Sequence, residues 1–284
     1  MRLNDFDPDS IQVEDQRGGR IPMGGGGKLG CGSFVIILIA ALVFGVDPAQ
    51  MLGTMEQGQS DAPQAQAEGG ATVAESCAVN PFSNEACAHL ASLNETWKPI
   101  FTKAGIDFTP PKLVFYSQNG QSGCGAAQSA MGPFYCTGDN GIYIDTDFYT
   151  EMDRQMGAGG DFARAYVMAH EYGHHVQNIT GLSGQVQSAQ GQNPRKANAL
   201  QVKLELQADC YAGVWAARNK DRIEAGDIEE GLNAAHQIGD DTLMKNAGQR
   251  PVESAFTHGS SAQRMEWLRK GLQTGNEDAC DTFA

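Results

Sequence analysis

The ten residues Met168–Gln177, MAHEYGHHVQ, set two histidines four positions apart with a glutamate directly after the first. Side chains four apart lie one above the other on a helix, so His170 and His174 converge on a point only if this stretch is helical. Glu171 is then offset by one residue toward the same cleft. Phe162, Ala165, Tyr166 and Ala169 form an apolar stripe leading to the motif, which predicts a helix buried on that side. Two converging imidazoles suit one Zn²⁺. Neutral imidazole nitrogens bind it at about 2.0–2.1 Å, and a catalytic site has three protein ligands with one position open to water. Glu171 is placed to polarise that water and carry its proton. The bland alternative is a pair of solvated helical histidines, but four of the six histidines (170, 174, 175 and 258) fall in or near the proposed site. His175 points about 100° away from His174 on a helix and is read as a neighbour rather than a ligand.

A third ligand has to come from another element. In Leu204-Glu205-Leu206-Gln207-Ala208-Asp209, Glu205 and Asp209 again share a helical face, flanked by Val202, Leu206 and Tyr211. Two acids among apolar residues are costly to bury unless paired or bound to metal. Glu205 as ligand and Asp209 holding the outer N–H of His170 would satisfy both. Asp209 as the ligand itself, or a solvated helix face, remain open alternatives. Phe256-Thr257-His258-Gly259 precedes a further helix bearing Arg264 and Trp267. A histidine before a helix start can project into a cleft and donate to a developing oxyanion, the alternative being a surface-loop histidine. Arg264 is free in sequence terms to steady that loop, bind substrate or pair with an acid.

The net charge of −14 over 284 residues would repel a phosphate backbone, which argues against nucleic acid as partner. Residues 1–28 read as a disordered, cytoplasmic tail. Residues 29–46 are uncharged, just long enough to span a bilayer, with nearby Lys and Arg only on the N-terminal side. They predict an uncleaved single-pass transmembrane helix with the rest of the chain outside the cell membrane, in a periplasm-like compartment. Residues 47–76 have a linker composition, and 77–284 make the folded domain. Six cysteines lie in that domain and allow 15 pairings; short separations favour Cys77–Cys87 and Cys124–Cys136, leaving Cys210 with Cys280, and buried free thiols are the alternative. Residues 90–104 look helical, 112–117 and 141–145 look like strands, and 133–136 is expected to pair with the latter. Helices are expected over 162–178, 196–218, 228–238 behind an Asp227-x-x-Glu230 capping box, and 261–273 behind Ser260-x-x-Gln263. The expectation is an α+β fold, mainly helical with a small sheet, preceded by one transmembrane helix.

The chain resembles the neutral zinc metallopeptidase family of membrane-anchored bacterial proteins, over nearly its full length. The strings that carry the likeness are H-E-Y-G-H-H-V-Q (170–177) and E-L-Q-A-D-C-Y-A-G (205–213). More distantly, H-E-x-x-H followed by E-x-x-x-D is similar to the Glu-zincins, the thermolysin-like peptidases. That resemblance implies a zincin-like fold, one Zn²⁺ held by His170, His174 and Glu205, Glu171 as general base and Asp209 behind His170. Thr257-His258 resembles the histidine segment that follows the zinc helices in certain membrane-bound peptidases. The chain departs from those patterns at Leu204, where thermolysin-like enzymes carry Asn, and at Gly259, where Pro is usual. The resemblance further implies that Gly141–Asp145, with Tyr143 and Ile144, is an edge strand for an extended peptide. The function expected is zinc-dependent endopeptidase activity on peptide or protein substrates. A catalytically silent zinc-bearing scaffold and a hydrolase of non-peptide amides are the rivals.

Overall fold

The computed structural model describes residues 1–3, 6–18 and 71–284 of the chain. A four-stranded sheet has the order β1-β2-β6-β5, with β1 Gln12–Asp15, β2 Lys112–Tyr116, β5 Phe134–Cys136 and β6 Gly141–Asp145. The inner strands β2 and β6 are parallel and β5 runs antiparallel to β6. KLVFY and GIYID are almost continuously buried, as expected of strands covered on both faces. A hairpin of β3 Asn119–Ser122 and β4 Gly125–Gln128 forms a second, two-stranded sheet.

Helices carry the rest of the described residues: α1 Val73–Cys77, α2 Pro81–Ala104, α3 Asp147–Met156, α4 Asp161–Ile179, α5 Leu182–Gln192, α6 Ala197–Arg218, α7 Asp227–Gln237, α8 Asp240–Asn246 and α9 Ser261–Thr274. α2 starts earlier than its apolar pattern predicts, because Asn80 caps the Ser83 N–H at 2.8 Å and Pro81 fits the first turn. The Ser260/Gln263 capping box forms at α9. The expected Asp227/Glu230 box does not: the cap of α7 is Gly226, and Glu230 instead accepts from the Phe162 N–H at 3.2 Å. A long-range donor at the start of α4 has taken the carboxylate that a local cap would have used. Asp161, Asp227 and Glu230 are spaced as a metal cluster, yet the Met1 ammonium already meets Asp161 at 2.7 Å and Asp227 at 2.9 Å. The three disulfides are Cys77–Cys87, Cys124–Cys136 and Cys210–Cys280, the pairing expected from sequence.

The expected membrane anchor is overturned. Among the described residues no helix is long and apolar enough to cross a membrane, and segment 29–46 lies outside them. Residues 12–15, read from sequence as part of a disordered tail, pair with β2 as a strand. Chain on both sides of 29–46 therefore belongs to one folded body, whereas a single crossing would put the two sides on opposite faces of a bilayer. The cytoplasmic tail and single-pass placement fall with it; the disulfides still speak for an oxidising compartment.

α4, α6 and α9 pack around one core in which Trp97, Trp215, Tyr166 and Tyr172 are fully buried. The closest approach near the histidine motif is at Gly173, where an added Cβ would lie 2.9 Å from Ala208 Cα and 3.1 Å from Ala208 O. Backbone atoms cannot swing aside as a side-chain tip can. Gly173→Ala is therefore expected to force α4 and α6 apart, costing about 1–3 kcal/mol by overpacking and weakening zinc binding. Thermal unfolding with and without added zinc measures both.

Candidate metal centre

α4 and α6 face each other so that donor atoms of His170, His174 and Glu205 all lie within 4.8 Å of one another. His170 Nε2 is 3.2 Å from Glu205 Oε2, and His174 Nε2 is 3.6 Å from the same oxygen. Each inner nitrogen is available because its outer one is engaged. His170 Nδ1–H donates to Asp209 Oδ1 at 2.8 Å, and His174 Nδ1–H donates to Gln177 Oε1 at 2.9 Å. Gln177 is itself fixed, its amide donating to Leu204 O at 2.7 Å and Gln207 Oε1 at 3.0 Å. The other oxygen of Glu205 accepts from Gln201 Nε2 at 2.9 Å. Two imidazole nitrogens and one carboxylate oxygen, each aimed by a hydrogen bond at its far side, are a donor set that fits Zn²⁺.

The electrostatics are those of a cation site. Burial would lower the His170 pKa, but the Asp209 carboxylate outweighs it and carries it up to about 9. Burial would raise that of Glu205, yet His174 and His258 hold it well below the ordinary carboxylate range. Buried acids on this face thus favour a positive charge where the three donors meet. Glu171 is 9% exposed. Its carboxyl is raised by burial, partly offset by the imidazoles, and the Tyr135 backbone N–H faces it.

Asp209 is held by more than His170. Arg264 donates to both its oxygens at 2.9 Å, and Tyr166 Oη donates to Oδ1 at 2.6 Å. Arg264 is 2% exposed and also donates to Ile238 O, so it closes off the back of the site and does not face substrate. Asp240 gathers the His258 loop: Oδ2 accepts from the N–H groups of Thr257, His258 and Gly259 at 2.7, 2.7 and 3.0 Å, and Oδ1 lies 3.2 Å from His258 Nδ1. Burial alone would raise the Asp240 carboxyl, but its bonds to His258 hold it below the ordinary value. Its stabilising contribution is then present above the unfolded carboxyl's pKa of about 3.9 and lost as pH falls through the depressed value. The His258 loop is expected to stay ordered at pH 4.5 and to loosen only in stronger acid, which amide exchange of residues 257–259 reads.

The expected substrate edge is corrected. β6 lies between β2 and β5, and Tyr143 and Ile144 are buried at 1% and 0%, so neither can meet a peptide. The free edge next to α4 is β5. Its Tyr135 Oη lies 3.1 Å from His175 Nδ1, while Asn178 Nδ2 donates to Tyr135 Oη at 3.0 Å and Asn140 Oδ1 at 2.9 Å. His175 Nε2–H donates to Thr109 O at 2.7 Å, so its unprotonated Nδ1 faces a tyrosine hydroxyl that donates to Asn140 Oδ1 at 2.8 Å. His175 is the neighbour expected from sequence; Gln177 and Tyr135 are the residues that sequence reasoning did not assign, and only the proximity of Gln177 to the motif hinted at it.

The sequence profile described as "Putative neutral zinc metallopeptidase" matches residues 3–283. The chain belongs to this family. Members share the zinc-peptidase assignment at family level, and the donor set described above agrees with it. One relative is "Uncharacterized protein YpfJ" of Escherichia coli, 41% identical, with 97% of this chain and 96% of that protein covered. Another is "Uncharacterized protein Rv2575" of Mycobacterium tuberculosis, 42% identical over 68% of each chain. No solved structure matches.

Proposed function

We propose that this family member is a zinc-dependent endopeptidase in which His170, His174 and Glu205 hold the metal, Glu171 is the general base and His258 serves the oxyanion. The observation that carries the reading is the donor set itself: three donors converge, among the described residues, with a buried carboxylate one residue from the first. A purely structural zinc site closes with a fourth protein ligand and has no use for Glu171. The chemistry a zinc ion supplies here when bound is Lewis acidity toward a carbonyl oxygen and acidification of water. Glu171 takes the proton from the attacking water and passes it to the leaving amine. His258, with Nδ1 3.2 Å from Asp240 Oδ1, would donate an Nε2–H to the oxygen on which charge develops. An extended peptide would add along the edge strand β5, which ends the sheet beside the helix that carries Glu171.

The experiment is cleavage of casein by the full chain, before and after zinc removal. Loss on chelation and recovery with Zn²⁺ is expected. A zinc-loaded protein that binds casein without cutting it would favour a scaffold, and one that cuts only small amides would favour a non-peptide substrate.

A further inference from the structure

The three disulfides are not equally protected. Cys77, Cys87, Cys210 and Cys280 are each at most 1% exposed, and Cys136 is fully buried, but its partner Cys124 is exposed at the tip of the β3–β4 hairpin. This one accessible bond ends on β5, the strand that borders the proposed base. β5 is three residues long and, among the described residues, pairs on one side only, to β6. Tyr135, whose hydroxyl lies 3.1 Å from His175 Nδ1 and accepts from Asn178 at 3.0 Å on the helix that carries Glu171, is the residue directly before Cys136. The base of the hairpin has its own ties, such as Gln118 N–H to Asp145 at 2.8 Å. Its tip is tied to the β5–β6 region by the disulfide and by one hydrogen bond, Gly123 N–H to Asp139 at 3.0 Å.

We propose that Cys124–Cys136 is a thiol–disulfide exchange site, attacked at Cys124 by a dithiol, whose opening frees the edge strand beside Glu171 and lowers activity. A thiolate of the dithiol bonds to the Cys124 sulfur, the S–S bond breaks, and Cys136 leaves as a thiolate that takes a proton. The second thiol of the dithiol then displaces Cys124 as a thiol and closes the reductant's own disulfide, so two electrons pass from dithiol to protein. Access decides which disulfide reacts first, because attack requires reach to a sulfur. The effect on activity rests on the peptidase reading; the order of reduction and the loosening of β5 do not.

The test uses the full chain under graded dithiothreitol, alkylation with peptide mass spectrometry, amide exchange and casein cleavage. Cys124 and Cys136 are expected to be labelled at least tenfold faster than the other four, with faster exchange at residues 134–137 and several-fold slower cleavage that reoxidation restores. The Cys124→Ser/Cys136→Ser double variant should show the same exchange and low cleavage without reductant, which removes any effect of a zinc-binding dithiol. Equal labelling of all three pairs, unchanged exchange at 134–137, or undiminished cleavage once this bond is open would overturn the proposal. If the oxidised chain cleaves nothing, the peptidase reading fails, while labelling order and exchange still decide whether the bond latches β5.

Discussion

Glu171→Gln is expected to keep its zinc and to lose about 10²- to 10⁴-fold in hydrolysis of an unstructured protein, the range that general acid–base catalysis contributes. The amide has the shape of the carboxylate, so packing at this 9% exposed position is preserved. What disappears is a group able to take a proton from water. His170, His174 and Glu205 are untouched, so metal content separates loss of the base from loss of the site. Full activity in a zinc-loaded Glu171→Gln protein would sink the mechanism.

Asp209→Asn is expected to damage stability and metal binding together. The carboxylate is fully buried and receives Arg264 through both oxygens, Tyr166 and His170. Neutralising it leaves the Arg264 guanidinium buried without a counter-charge, and breaking such a pair costs about 3–5 kcal/mol. For a domain of this size that is a fall of roughly 10 °C in Tm. Zinc affinity should fall about 10- to 100-fold as well, because His170 loses the partner that fixes its tautomer. The Asp209→Leu/Arg264→Met double variant should recover much of the Tm but not the affinity. Recovery of both would show that Asp209 serves Arg264 alone.

The motif residues were legible in sequence because helical periodicity is local. Spacing of four puts His170 with His174, and Glu205 with Asp209, on one face each, and cysteine separations gave the disulfide pairs. Arg264 was ambiguous, since only burial against Asp209 distinguishes a charge partner from a substrate contact. The substrate-edge role of Tyr143 and Ile144 came only from the resemblance to zincins, and strand order is not written in a strand's own residues. The Asp227/Glu230 cap failed for a similar reason: Glu230 meets Phe162, 68 positions away in the chain. The apolar run at 29–46 was weighed without knowing that residues 12–15 pair with β2.

Sequence by itself pointed to the two helices that carry His170 with His174 and Glu205 with Asp209, and to the short-range cross-links Cys77–Cys87 and Cys124–Cys136, because each follows from spacing along a single helix or a short length of chain. Tertiary structure alone decided that the two helix faces meet at Gly173 and Ala208, and that β5 rather than β6 carries the free edge. It also decided that Arg264 backs Asp209 and that the N-terminal residues join the same body. Each of those rests on contacts between residues remote in the chain, where the outcome depends on which partners the packed core leaves within reach.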